Sequence, residues 1–170
     1  MRRYKRPEPQ SNQDPYQQEP LPFDRPIAVY YRQSGEGQVG NISTTLQTVD
    51  MVEHLERLGW VHEQILMIDM DAGFSGELKI NERPGMSHLF KLIESGTLGA
   101  VASQEVDRFF RDVTQIQTNI FIDACKRNDV KVLTPNMLYD FAHPLQGRHH
   151  IQMFRDRAQA SADYLVNHII

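Results

Sequence analysis

Tyr30, Arg32 and Ser34 alternate at the end of the apolar run Ile27-Ala28-Val29, so an extended strand points all three to one face. Far along the chain, Asp107-Arg108-Phe109-Phe110-Arg111 sets two more arginines three residues apart, and a helix starting there would put both on one face. Guanidinium forks suit phosphate oxygens two at a time, and a cluster of them stabilises charge growing on a transferring phosphoryl group. A serine hydroxyl in that company is a candidate nucleophile toward a phosphodiester, with Asp107 beside it. The bland reading of the same residues is a solvated patch in which Arg108 and Arg111 pair with Glu105 and Asp112.

The loop after Ser34 offers a competing chemistry. Gly35, Gly37 and Gly40 match G-x-G-x-x-G between a predicted strand and a predicted helix, as in a dinucleotide-binding turn. That turn requires its first glycine to end the strand, whereas here Arg32, Gln33 and Ser34 intervene and the helix starts only near Ser43. The ribose-binding acid belongs about 20 residues further on, but Asp69 lies 29 residues beyond Gly40. Glycines that let Ser34 move are the better reading. No metal site is expected: His149 and His150 are adjacent, a poor chelate spacing that suits a polar helix start.

The elements that must position these residues alternate in type. Ile27–Tyr31, Gln64–Asp69, Leu98–Ala102 and Val130–Leu133 read as strands. Ser43–Leu58 reads as a helix with Leu46, Val49, Val52, Leu55 and Leu58 inward and Gly59 as its stop. A second helix opens at Pro84 with Met86, Leu89, Phe90 and Ile93 inward, and a third carries Ile116, Ile120, Phe121 and Ala124. This order predicts an α/β fold of three layers, with a central, mainly parallel sheet of four to five strands flanked by helices. In such a sheet the carboxyl ends of the first and third strands open onto one crevice, which brings Ser34 and the arginines together.

Residues 1–26 are Pro-rich and nearly without aliphatic side chains before Leu21, so a disordered arm is expected there, and a compact domain over 27–146. From Gly147 to Ile170 one stripe, Ile151, Phe154, Ala158, Ala162, Leu165 and Ile169, predicts a long terminal helix. Its first half can pack on its own sheet; its second half is expected to seek a partner.

The chain has 170 residues and a net charge of -4, with a sequence pI near 5.9 and a mean hydropathy of -0.50. Apolar runs fall far short of a bilayer span, so no membrane role is expected, and the amino terminus lacks a secretory apolar core. A single cysteine, Cys125, fits a reducing cytosol. The acidic balance argues against gripping nucleic acid by bulk charge: the arm carries +1 and the body -5.

In the segments Tyr30-Tyr31-Arg32-Gln33-Ser34, Gln47, Asp71-Ala72-Gly73-Phe74-Ser75-Gly76, Arg83-Pro84-Gly85-Met86 and Val106–Asp112, the sequence resembles the serine recombinases, the resolvase and invertase family. Their order and spacing are far more specific than any one motif. Phe121–Cys125, Val132–Pro135, Leu138–Phe141 and the long terminal helix look most like the large serine recombinase (integrase) branch, in which DNA-binding domains follow the catalytic domain. The resemblance implies that Ser34 attacks the scissile phosphate to leave a 5′-phosphoserine link and a free 3′-hydroxyl. It places Arg32, Arg83, Arg108 and Arg111 on the phosphate oxygens. Asp107 would orient the arginines or move a proton, and Gln47 would position the phosphate. It further implies DNA as partner, a homodimer assembling to a tetramer, no cofactor, DNA-binding domains in a longer parent chain, and a cytoplasmic bacterial or phage setting.

The sequence departs from the family in Gly35 after the presumed nucleophile, where threonine is usual, in Gln33 for an aliphatic residue, and in a longer loop from Gly35 to Ile42. Two other readings stay open: a catalytically silent resolvase-like interaction module, and a dinucleotide-binding oxidoreductase domain.

Overall fold

The computed structural model describes residues 20–32 and 42–169, with side-chain surroundings for 20–32 and 50–159. Ser34 and the glycine loop lie outside the described residues, as do residues 1–19; Gln47 is described only as part of a helix. Five strands form one sheet in the order β2-β1-β3-β4-β5: β1 Ile27–Tyr30, β2 Ile65–Ile68, β3 Ala100–Ala102, β4 Lys131–Thr134 and β5 Met137–Tyr139. The first four are parallel, with Ile27 opposite both Ile65 and Ala100. The fifth was not read from the sequence as a separate strand. It is three residues long and returns antiparallel after the two-residue turn Pro135-Asn136, pairing Met137 with Thr134.

Alternation along β1 divides the core. Ile27 and Val29 face Met51, Leu55 and Trp60, the layer built by α1 (Ile42–Leu58). Ala28 and Tyr30 face the other layer, made by α2 (Pro84–Glu94), the short α3 (Val106–Phe109), α4 (Ile116–Arg127) and α5 (Gly147–Ile169). On this side Phe109, Phe121, Tyr139, Phe141 and Phe154 pack ring to ring at 5.4–6.3 Å. The three-layer expectation holds. α1 ends where Gly59 takes φ +141, a conformation that excludes most side chains, and a Cβ there would lie 3.0 Å from the Phe23 ring.

That contact corrects the expected arm. Residues 20–26, assigned to it by composition, lie on the domain. Phe23 meets Trp60 edge-on at 4.7 Å, Trp60 Nε1 donates to the Arg25 carbonyl at 3.1 Å, and the Arg25 guanidinium donates to the carbonyls of Leu98 and Asp129. Leu21, Pro22 and Phe23 supply enough apolar surface for a short strap despite the prolines, so the compositional boundary at 26 was too late.

The predicted terminal helix is present. Phe154 and Ala158 are fully buried against α3, α4 and β5, so its first half covers its own domain. The side chains of Ala162, Leu165 and Ile169 lie outside the described surroundings. Among the described residues no helix is long and apolar enough to cross a membrane.

Candidate active site

β1 and β3 are hydrogen-bonded neighbours, with β2 on the other flank of β1 and β4 on the other flank of β3. Chain direction around the sheet therefore switches between them, and the residues past their carboxyl ends share one crevice. Tyr31 and Arg32 leave β1 there, and Ser103 to Asp107 leave β3.

Arg32 is 1% exposed and its guanidinium is bound on three sides. Nε donates to the Arg108 carbonyl at 3.0 Å, Nη2 to the Asp107 carbonyl at 2.6 Å, and Nη1 to the Phe74 carbonyl at 3.2 Å. The last carbonyls of a helix lack partners within it, and a cation there complements the helix dipole. Arg32 thus caps α3 from 75 residues away. Gly76 makes room for it: a Cβ at that position would sit 2.8 Å from Arg32 Nη2.

Asp71 performs the matching task for α2. Its carboxylate accepts the backbone N–H groups of Gly85 and Met86, at 2.5 and 2.8 Å, in the first turn after Pro84. The same carboxylate accepts the Tyr30 hydroxyl, which in turn accepts a hydrogen bond from Arg83 Nη2 at 2.7 Å. Arg83 and Asp71 are both fully buried and 3.8 Å apart. Burial above all, with the Asp71 bond helping, holds the Tyr30 hydroxyl well above its ordinary ionisation range, so it remains a neutral bridge. Arg83 lies between the rings of Tyr30 and Phe110, 5.5 and 5.3 Å from their centroids. The resemblance put Arg83 on phosphate; here it is sealed beneath the crevice, compensating the buried Asp71 charge.

Arg108 and Arg111 are half-buried. The expectation of one shared helical face fails for a physical reason: α3 stops at Phe109, because Phe110 takes an extended conformation and buries its ring against Phe121. Arg111 follows in extended chain, its N–H bonded to the Gly76 carbonyl at 3.0 Å. The expected surface ion pairs are also absent. The Asp112 carboxylate instead caps α4, accepting from the Thr114 hydroxyl and from the N–H groups of Gln117 and Thr118, and no ion pair joins Arg108 or Arg111 to Glu105 or Asp112.

The four arginines are close enough to repel one another. Burial, then the charges of Arg83, Arg111 and Arg108, bring the Arg32 guanidinium down to about 10 from its usual 12.5. Arg83 Nε and Nη1 and Arg111 Nε are buried without hydrogen-bond acceptors among the described residues. Asp71 balances the Arg83 charge, whereas Arg108 and Arg111, with the spare Arg111 Nε, suit an anion with several oxygens at the crevice. Of the residues read from sequence, the structure brings together Arg32, Arg83, Arg108, Arg111 and Asp107; Ser34 and the side chain of Gln47 lie outside the described residues. Sequence reasoning left Asp71, Tyr30 and Gly76 without the capping, bridging and clearance roles they have here. Asp71 stands 13 residues before Pro84, too far for a local capping pattern to signal its role.

The family description Resolvase, N terminal domain, matches residues 27–169. A protein of Sinorhizobium fredii (strain NBRC 101917 / NGR234), described as uncharacterized protein y4bA/y4pH, is 34% identical over 89 residues, which are 52% of this chain and 13% of that protein. The chain thus spans only a small part of that relative's length. Among solved structures, the N-terminal catalytic domain of TP901-1 integrase superposes with a TM-score of 0.57 at 23% identity, covering 82% of this chain and 98% of that one. A resolvase family site-specific recombinase from Streptococcus pneumoniae gives a TM-score of 0.57 at 16% identity, covering 83% and 90%. These likenesses establish the fold. The chain belongs to the resolvase family, with the fold of a serine recombinase catalytic domain.

Proposed function

We propose that this is the catalytic domain of a serine-type site-specific recombinase that cuts and rejoins DNA through a 5′-phosphoserine at Ser34. The observation that carries it is the convergence of Arg32, Arg108 and Arg111 at one crevice, with the buried Arg111 Nε left without an acceptor among the described residues. Ser34, two residues beyond Arg32 in sequence, attacks phosphorus; Arg108 and Arg111 take the non-bridging oxygens as charge builds on them. Arg32 adds its charge while holding α3, and Arg83 with Asp71 and Tyr30 holds the start of α2 beneath them. Asp107 serves proton transfer at the leaving oxygen, and Gln47 helps position the phosphate. The ester keeps the energy of the broken bond, so rejoining needs no nucleotide. Two duplexes require four such sites, hence a dimer that pairs into a tetramer, with α5 as the contact helix. The likeness of the motifs from Phe121 to Phe141 to the large branch supports a reading with DNA-binding domains in a longer parent.

The test is single-turnover cleavage of supercoiled DNA carrying the region that flanks the protein's own gene. Arg108→Ala and Arg111→Ala should each slow cleavage by about 10²–10³-fold while leaving the melting temperature within a few degrees. Cleavage by both variants at the wild-type rate would remove the phosphate role of the cluster.

A further inference from the structure

We infer that Gln115 is a positioning residue for Arg111: its carboxamide clamps the start of α4 to the middle of α5, so that the terminal helix holds the backbone that carries Arg111. The inference rests on the recombinase reading above for what Arg111 does, and adds to it the group that fixes where Arg111 stands.

Gln115 occupies the N-cap of α4 with φ 64° and ψ 3°, in the left-handed region that residues with a side chain rarely adopt. A cap residue ordinarily sits in extended chain and turns its side chain back onto its own helix. Gln115 does neither. Its Nε2 donates outward to two acceptors on α5, the Arg155 carbonyl and Gln159 Oε1, each at 3.0 Å. One turn further along α4, Asn119 Oδ1 accepts Arg155 Nε at 2.7 Å. Gln115 and Asn119 are four residues apart, as are Arg155 and Gln159, so two facing helical turns are stitched together. Gln115 Oε1 is buried with no partner among the described residues. The arrangement therefore leaves one acceptor unmet and the backbone strained while keeping both Nε2 bonds to α5. Such strain persists only where the surroundings impose it, and it points to a task for the residue.

The clamp lies four residues from Arg111, and hydrogen bonds join the two. The Gln115 N–H donates to the Asp112 carbonyl at 3.3 Å, and the Asp112 carboxylate accepts the Thr114 hydroxyl and the N–H groups of Gln117 and Thr118. Arg111 directly precedes Asp112, and its own N–H reaches the Gly76 carbonyl at 3.0 Å on the other side. Its backbone is thus strung between Gly76 and the first turn of α4. The guanidinium has no matching fastening, for Arg111 Nε is buried without an acceptor among the described residues. The backbone therefore decides where the charge stands. A misplacement of about 1 Å at a group that must meet a reacting phosphate costs on the order of 10²-fold in rate. Through Gln115, the grip on Arg155 and Gln159 makes the terminal helix one of the two supports of Arg111.

Two measurements test this. In amide hydrogen exchange of the chain without DNA, Gln115→Ala should speed exchange of the Arg111 N–H about tenfold and leave the Arg108 N–H unchanged. Equal acceleration at both would mean a general loss of stability and would overturn the inference. Gln115→Gly relaxes the left-handed backbone but lacks the carboxamide, so it should speed Arg111 exchange as Gln115→Ala does. Wild-type exchange at Arg111 in Gln115→Gly would overturn the clamp in favour of backbone strain alone. Should Gln115→Ala fail to fold, Gln159→Ala, which removes one of the two acceptors, should speed Arg111 exchange about threefold, and no change would overturn the inference. On the supercoiled DNA used above, Gln115→Gly should lower the cleavage rate at saturating DNA about tenfold, with the half-saturating DNA concentration within about twofold of wild type. An unaltered maximal rate beside a weakened half-saturation would also overturn it. Wild-type protein that fails to cleave would count against the recombinase reading alone, since hydrogen exchange judges the clamp without DNA.

Discussion

Arg32 joins a structural task to its proposed chemistry in one side chain. Two of its nitrogens close the carbonyl end of α3 and a third holds the Phe74 loop, so the arginine nearest Ser34 in sequence is also a fastener of the fold. Lysine keeps the charge but cannot reach three carbonyls in fixed directions. Arg32→Lys should cost about 3 kcal/mol of unfolding free energy in urea titrations, the worth of about two charge-assisted hydrogen bonds. Unchanged stability would mean that the capping contacts contribute nothing. Arg108 and Arg111 differ in kind: no side-chain hydrogen bond fastens either guanidinium among the contacts described, so their loss should register in rate more than in stability.

Among the elements, three helices are capped by residues outside them: Asp71 for α2, Arg32 for α3 and Asp112 for α4. This explains what could and could not be read from sequence. Strand–helix alternation is local, so β1 to β4 and the long helices were legible, and the rule for parallel sheets then put Arg32 and the Asp107–Arg111 segment at one crevice. Caps that bridge tens of residues leave no periodic trace, so the burial of Arg83 and the roles of Asp71 and Tyr30 were not legible. The extended turn at Phe110, forced by the aromatic core, was equally invisible to spacing. At the head of α5, His150 Nδ1 accepts the Asp140 N–H at 2.9 Å, which requires the ring nitrogen to be unprotonated. Burial leads the causes that hold this histidine below its usual 6.5, although Asp140 pulls the other way. The unfolded chain therefore binds the proton more readily, and stability is complete above pH 6.5 and falls as pH drops below it. Thermal melts at pH 7.5 and 5.5 should show that loss, and His150→Asn should reduce it; a pH-independent wild type would contradict the coupling.

For the whole molecule, an acidic body and a basic cluster are compatible because they answer different needs. In the proposed reaction a few arginines act on one phosphate, while affinity for DNA scales with the number of phosphates neutralised along the duplex. A body of -5 leaves little for the second task. The isolated chain should bind a 30-base-pair duplex more weakly than about 10 μM at 0.15 M salt, with a shallow salt dependence. Tight, salt-resistant binding would show that the chain grips DNA without further domains. The first half of α5 is committed to its own core through Phe154 and Ala158. The most direct measurement is covalent. The protein, incubated with the DNA flanking its gene and stopped under denaturing conditions, should carry the 5′ end of the cut strand as a phosphoester on Ser34, identified by peptide mass. Ser34→Ala should give no adduct at all. An adduct that survives in Ser34→Ala, or one attached through the 3′ end, would contradict the assignment of this chain as a serine recombinase that acts through Ser34.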